Sequence, residues 1–339
     1  MKRENNLERI TLEHGSGGAL SRQLTEELIF PLFRGADYPR LDDASPFRVE
    51  GKAFLTTDSY VVDPPFFPGG DIGRLAVFGT CNDLAVCGAR PRFLSLGLVA
   101  EEGLPIAELA RVLSSLKEAA AEAGVRVITG DTKVVPAGKG GGIYLNTTGV
   151  GEAVFPHPLS TSRLRSGDLV LVSGPIGAHG LTVLAAREGL AVASGLASDC
   201  ANLYPLCARL YDLGEDLRFL RDATRGGVAS VLNEMISASS LGLEAQESSF
   251  PADKKVAAAA DLLGLSLLEV ANEGVLVAAV APGAGDRALE QMRSTPLGLK
   301  AAVVGKLTGD HPGRVILETA VGGRRLLDFP RGLLLPRIC

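Results

Sequence analysis

The chain has 339 residues, 46% of them hydrophobic and 22% charged, with a formal net charge of −5. That length makes two domains the natural expectation, and the mild acidity gives no electrostatic case for nucleic acid or an anionic membrane as partner. No apolar run approaches the ~18 residues of a membrane-spanning helix, and Met1-Lys2-Arg3-Glu4-Asn5-Asn6 lacks the apolar core of a secretory signal. The five cysteines, Cys81, Cys87, Cys200, Cys207 and Cys339, form no CxxC pair and are odd in number. That pattern points to free thiols in a reducing cytoplasm. Cys81 and Cys87 lie in an apolar stretch and read as small core residues.

In chain order, a short apolar start leads to His14-Gly15-Ser16-Gly17-Gly18 and a helical pattern at Leu20, Leu24, Leu28 and Ile29. A glycine-rich turn feeding a helix presents backbone N–H groups to an anion, or is simply a flexible turn before a surface helix. Asp42-Asp43 reads as a loop carboxylate pair, and Ala53 to Val62 as a strand interrupted by Asp58. Asp71 to Gly88 reads as a helix apolar nearly all round, with Asn82 and Asp83 in its middle. A carboxylate in such a helix is costly unless paired or metal-bound, which favours a ligand role for this pair. A second helix is predicted over 105–123, with Pro105 at its first position and Gly124 at its end. A strand from Val125 to Thr129 then runs into Gly130-Asp131-Thr132-Lys133, and a further strand covers Ile143 to Val150. Polar residues at the end of a buried strand are where α/β proteins place chemistry.

The segment around His157 reads as a linker, after which the pattern restarts with a strand at Leu169 to Ser173. His179 opens a helix toward Ala186 and reads as a loop or capping histidine, and another helix is predicted over roughly 199–212. Asp222-Ala223-Thr224-Arg225-Gly226-Gly227 precedes a helix carrying Val228, Val231, Leu232, Met235 and Ile236 on one face. An acid, a hydroxyl, an arginine and two glycines at a helix start suit a phosphate or metal–phosphate cradle better than a plain cap. Asn272-Glu273-Gly274 puts an acid at the mouth of a strand, Val275 to Val280. A short helix ends near Ser294, strands at 302–306, 314–319 and 324–329 close the domain, and Gly322-Gly323 is the predicted two-residue turn of the last hairpin. The sequence ends in Gly332-Leu333-Leu334-Leu335-Pro336-Arg337-Ile338-Cys339, an apolar run leading to a thiol. It reads either as a strand that happens to end in Cys, or as an arm that carries a group into an active site.

Asp43, Asp58, Asp83 and Asp131 come from separated elements, each at a Gly-rich or apolar junction. Hard oxygen ligands from several elements suit Mg²⁺ with a triphosphate. There is no His/Cys cluster for zinc and no GxxxxGK[ST] loop.

His14 to Gly18, Thr57-Asp58-Ser59-Tyr60, Phe66-Phe67-Pro68-Gly69-Gly70, Asn82-Asp83, Gly130 to Val135, Asp222 to Gly227, Asn272-Glu273-Gly274 and Pro336-Arg337-Ile338-Cys339 together closely resemble the HypE family of hydrogenase-maturation carbamoyl dehydratases. That family belongs to the superfamily of aminoimidazole ribonucleotide synthetase, selenophosphate synthetase and thiamine-monophosphate kinase. The tail is the specific signal; the acidic motifs are shared and report ATP handling. The resemblance implies a two-domain PurM-like (aminoimidazole ribonucleotide synthetase-like) fold, with an α/β N-terminal domain that dimerises through its sheet and an α+β C-terminal domain. The expected division is 1–40 for the Gly-rich loop and helix, 41–158 and 159–330 for the two domains, and 331–339 for a flexible tail.

The resemblance also implies that the carbamoyltransferase HypF loads Cys339, that ATP with Mg²⁺ drives dehydration of the S-carbamoyl group to an S-cyanate, and that the cyanide passes to iron on a HypC–HypD scaffold. By motif position, Asp43, Asp58, Asp83, Asp131 and Asp222 are assigned to Mg²⁺. Gly15, Ser16, Gly17, Gly18, Asp131, Thr132, Asp222, Thr224, Arg225, Gly226 and Gly227 are assigned to ATP, and Lys133 and Arg225 to phosphate oxygens. Glu273 is the expected base and His14 the second choice. The alternative is an ATP-dependent small-molecule synthetase or kinase of the same superfamily, although positions 14–22 hold no cysteine of the kind selenophosphate synthesis calls for. A non-catalytic scaffold with a docking tail leaves the spread of acids unexplained.

Overall fold

The computed structural model describes residues 8–16, 18–34, 44–190, 195–237 and 239–330. Gly17, Asp42, Asp43 and the tail 331–339 with Cys339 lie outside the described residues. Near the start, α1 (Ala19–Leu24) continues through a π-wound turn, Thr25–Ile29, into α2 (Phe30–Phe33).

The first domain follows as β1 (Ala53–Tyr60), β2 (Phe66–Phe67), β3 (Gly70–Asp71), α3 (Ile72–Val86), β4 (Ala89–Glu101), α4 (Ile106–Ala123), β5 (Arg126–Val135) and β6 (Ile143–Ala153). Its sheet has the order β1-β6-β4-β5, with β4 and β5 parallel and the other pairs antiparallel. α4 supplies the crossover that a parallel pair requires. Asp71 starts α3 by accepting hydrogen bonds from the Gly73 and Arg74 N–H groups at 2.8 and 3.0 Å. α3 is apolar all round because it has partners all round: the sheet, α4, and the second domain at its C-terminal end. The other face of the sheet presents Leu55, Ser59, Val99, Tyr144, Asn146 and Val150, and Leu55 is 72% exposed.

The second domain comprises β7 (Leu169–Val172), α5 (Ala178–Arg187), α6 (Tyr204–Tyr211), β8 (Leu217–Asp222), α7 (Gly227–Ile236), β9 (Gly242–Gln246), α8 (Lys254–Leu263), β10 (Leu276–Val280), α9 (Gly285–Arg293), β11 (Ala302–Thr308), β12 (Val315–Glu318) and β13 (Arg324–Leu326). The sheet order is β13-β12-β9-β11-β7-β10-β8, antiparallel except for the β12–β9 pair. α7 covers one face, and α6 with α9 covers the β7/β10/β8 part of the other. No helix among the described residues is long and apolar enough to cross a membrane.

The structure corrects several expectations. β5 does not stop at Thr129 but runs through Gly130-Asp131-Thr132-Lys133, because β4 is long enough to pair with all of it. Gly130 is required there: a Cβ would overlap the Leu96 carbonyl oxygen. β4 itself, β8, β9 and α8 fall where no element was assigned from sequence. The predicted helix over 199–212 begins only at Tyr204, where Asn202 Oδ1 accepts the Tyr204 N–H at 3.1 Å; the residues before it form a loop at the domain junction. The last hairpin turns through residues 319–323 rather than two glycines, closed by Thr319 N–H donating to the Gly323 carbonyl at 2.7 Å. Cys81 is buried, but Cys87 follows the last turn of α3 and is exposed.

Candidate active site

The acids converge where β1 and α3 of the first domain meet β8 and the Glu273 loop of the second. Strand alternation turns Thr56, Asp58 and Tyr60 toward α3. Thr56 Oγ1 donates to Asp83 Oδ2 at 2.9 Å, across the gap between strand and helix. Asp222 ends β8, opposite Leu276 of β10. A groove of ≈ 340 Å³ runs between the domains, and its walls include Thr56, Asp83, Cys87, Arg221 and Asp222.

Burial and mutual repulsion dominate the electrostatics. Burial raises the Asp83 carboxyl pKa, the Thr56 hydrogen bond and the Arg221 and Arg225 charges oppose the rise, and Asp58 adds to it. Burial and then Asp83 push Asp222 up to about 7. Glu273, 5% exposed, is raised well above the carboxylate range by burial and then by Asp222, Asp199, Asp58 and Asp83. Several carboxyl groups that resist ionising together make a place that divalent cation charge would relieve. Among the described residues, however, no three His, Cys, Asp or Glu side chains come close enough together to hold an ion as a preformed set. Asp58, Asp83 and Asp222 bring hard oxygens to the domain junction without forming a closed set.

Behind Asp222 the chain takes two left-handed steps, at Gly226 (φ 72°), the cap of α7, and Gly227 (φ 60°), its first residue. A Cβ on Gly227 would sit 2.5 Å from the Val270 carbonyl oxygen, so only glycine fits. The Gly227 N–H donates to the Thr224 carbonyl at 2.9 Å, which closes the turn that carries the exposed Arg225. Asn272 pins this assembly. Its Oδ1 accepts the Gly177 N–H at 2.7 Å, and its Nδ2 donates to the Ala223 carbonyl at 2.8 Å.

The expectations for Asn82 and Asp131 change, and His14 is placed. Asn82 is not a ligand: Nδ2 donates to the Ala201 carbonyl at 3.0 Å and Oδ1 accepts the Leu203 N–H at 2.8 Å, so it ties α3 to the second domain. Asp131 is not beside Asp58. The register places Asp58, Thr147, Leu96 and Gly130 in one row and Ser59, Asn146, Gly97 and Asp131 in the next, facing the other way. β1 and β5 are opposite edges of the sheet, about 14 Å apart by strand spacing. Asp131 instead pairs with Lys133 Nζ at 2.8 Å, and both are exposed; that partner lowers the Asp131 pKa. His14 is buried, and its Nδ1 accepts the Thr11 N–H at 3.0 Å. Thr11 Oγ1 lies 2.9 Å from the same nitrogen, and Nε2 has no partner among the described residues.

Sequence reasoning missed Asp199. Its Oδ2 accepts the Glu273 and Gly274 N–H groups, both at 3.2 Å. No motif marks it; its partners lie far along the chain. Nor did spacing show that His179 would be fully buried, with Nδ1 2.7 Å from Ser198 Oγ and its ring edge-on to Phe67. Burial lowers its pKa to about 3, so the ring is neutral.

Compared with known proteins, the chain is 45% identical over 331 residues to the carbamoyl dehydratase HypE of Azotobacter vinelandii, with 97% of each covered. The chain belongs to the HypE family of carbamoyl dehydratases. Its two domains match the models for AIR synthase related proteins, N-terminal domain over residues 41–153 and C-terminal domain over 165–318, so the fold is the two-domain PurM-like one. A crystal structure of a HypE in complex with ATP superimposes with a TM-score of 0.92 at 43% identity, covering 97% of this chain and 99% of the other. A HypE–HypF complex aligns with a TM-score of 0.80 at 40% identity, covering 91% and 99%. HypE proteins serve hydrogenase maturation, and this chain is a carbamoyl dehydratase of that class.

Proposed function

We propose that the chain carries a carbamoyl group on Cys339, loaded by HypF, and dehydrates it to an S-cyanate at the interdomain groove with ATP and Mg²⁺. The observation that carries this reading is the acid cluster at that groove: Asp83 and Asp222 stand in its wall, and both, with Asp58, act on the buried Glu273 carboxyl group. Membership of the HypE family supports it, as do the relatives crystallised with ATP and with HypF. No feature of the site favours the small-molecule synthetase or kinase alternative.

When bound, ATP supplies the phosphoryl group that turns the carboxamide oxygen into a phosphate leaving group, and Mg²⁺ neutralises the phosphate charge. Overall, S–C(=O)NH₂ and ATP give S–C≡N, ADP and phosphate. Asp58, Asp83 and Asp222, with Asp43 by motif, would hold the ion. Arg225 and the turn into α7 would steady phosphate oxygens. Glu273 takes the proton from the carboxamide nitrogen. Burial and the surrounding acids hold its carboxyl group against ionisation, and a cation held by the neighbouring aspartates would supply charge that favours its ionised form.

We further propose a homodimer formed through the sheet face bearing Leu55 and Tyr144. Asp131, Thr132 and Lys133 lie on β5 at that sheet, so Asp131 and Lys133 would serve a nucleotide across the dimer interface. Gly15, Ser16 and Gly18, with Gly17, remain assigned to the nucleotide by motif. The chain would act in the cytoplasm and pass its cyanide to a HypC–HypD iron scaffold.

The test is intact mass after incubation with HypF, carbamoyl phosphate and Mg-ATP, beside Cys339→Ala. Gain of a carbamoyl group and then ATP-dependent loss of one water, both absent in Cys339→Ala, are expected. An unmodified Cys339 with HypF active on a known acceptor would overturn the reading.

A further inference from the structure

The loop before α6 makes contacts that a mere connection does not need. Ser198 N–H donates to the Pro68 carbonyl at 2.8 Å, and its Oγ meets both His179 Nδ1 and the Cys200 N–H. Gly69 has φ 87° and would place a Cβ 2.7 Å from Ser198 backbone atoms, so the loop at 66–70 and this one are in close backbone contact. Just past Cys200, Asn82 takes up the Ala201 carbonyl and the Leu203 N–H. The loop is thereby clamped to the first domain on both sides of Asp199.

From that clamped position Asp199 reaches into the second domain. Its Oδ2 accepts two consecutive peptide N–H groups, those of Glu273 and Gly274, and Ala201 N–H donates to the Glu273 carbonyl at 3.3 Å. A Cβ on Gly274 would overlap the Asp199 carbonyl oxygen, so the two backbones touch. The Asp199 carboxylate also lies by the backbone N–H groups of His179 and of Asp199 itself, so α5, the loop and the Glu273 peptide meet on one buried side chain, and the backbone that carries Glu273 takes its place from it.

We propose that Asp199 is a positioning residue for the dehydration: it anchors the Glu273–Gly274 peptide against the first domain and sets a negative charge beside the Glu273 carboxyl group. This inference rests on the reading of Glu273 as the base. The groups acting on Glu273 are Asp222 on β8, Asp199 on the loop, Asp58 on β1 and Asp83 on α3, all of one sign. Asp199 is the one among them that also holds the Glu273 backbone.

The experiment measures the single-turnover rate of ATP-dependent water loss from HypF-loaded protein across pH 5.5–9, for Asp199→Asn, Asp199→Ala and Glu273→Gln. Melting temperature and ATP affinity are recorded for each. Asn keeps an acceptor for the peptide N–H groups and removes the charge; Ala removes both. For Asp199→Asn the acidic limb should move down by about one pH unit with the plateau within a few-fold of the parent. For Asp199→Ala the limb should move likewise and the plateau fall about tenfold. An unmoved limb in both variants overturns the proposal, including the case where melting temperature and plateau fall together, which marks a purely structural role. Full activity in Glu273→Gln would overturn the reading of the base and this inference with it, whereas loss there with an unmoved limb at Asp199 overturns this inference alone.

Discussion

At the scale of single residues, the site is dominated by carboxyl groups that fold into places where they resist ionising. Asp222, with its pKa at about 7, and Asp199, raised to about 6 by burial, both lie above the 3.8 of a free aspartate. The folded state therefore binds these protons more tightly than the unfolded state. Stability should fall as pH rises from about 4 through about 7 and level off above, by roughly 1 kcal/mol per pH unit per group. The melting temperature of the nucleotide-free protein between pH 5 and 8 checks this. It should drop over that range, Mg²⁺ should reverse the drop at the alkaline end, and Asp222→Asn should flatten the curve. A melting temperature that climbs steadily from pH 5 to 8 would show that the cluster is not strained.

Among the elements, two buried amides make joints. Asn272 satisfies the Gly177 N–H and the Ala223 carbonyl, and Asn82 the Ala201 carbonyl and the Leu203 N–H. Truncating either to Ala leaves buried backbone groups unpaired. Each should cost roughly 2–4 kcal/mol in denaturant unfolding. Asn82→Ala should also lower dehydration more than carbamoylation by HypF, because the groove is built across that joint. Gly130→Ala should destabilise the first domain by about 1–3 kcal/mol, since the new methyl group meets the Leu96 carbonyl in the middle of a paired strand.

How these elements are placed was only partly legible beforehand. The helix over Asp71–Gly88 and its polar pair were visible as an apolar run with an exception in it. That Asn82 would face a joint while Asp83 faces the groove depends on which side of α3 meets the second domain, and one helix position, ~100° of rotation, separates the two roles. Likewise Gly130-Asp131-Thr132-Lys133 reads as a strand end because glycine and aspartate are poor strand formers. Pairing with β4 carries the strand through them.

For the whole molecule, the open sheet face is the expected dimer surface. Leu55→Glu, at 72% exposure in one chain, should convert the dimer to monomer by sedimentation, leave the melting temperature of the monomer nearly unchanged, and abolish ATP turnover if Asp131 works across the interface. A monomeric parent protein would remove that proposal, and a dimeric Leu55→Glu variant would place the interface elsewhere.

The amino-acid sequence by itself determined the family, the two-domain organisation and the identities of the acids, because each of these is carried by short motifs and by local periodicity. It also marked the glycines of the turn into α7, since a backbone with positive φ leaves its mark on residue type. Only the tertiary structure decided which acids work together. Asp58, Asp83 and Asp222 all act on Glu273, and Asp83 and Asp222 stand in the wall of one groove, while Asp131 lies on the opposite edge strand and faces the other way, a distinction set by strand order and register. Asp199 entered the site by the same route: its hydrogen bonds reach residues more than seventy positions away in the chain, and no local pattern records a contact of that range.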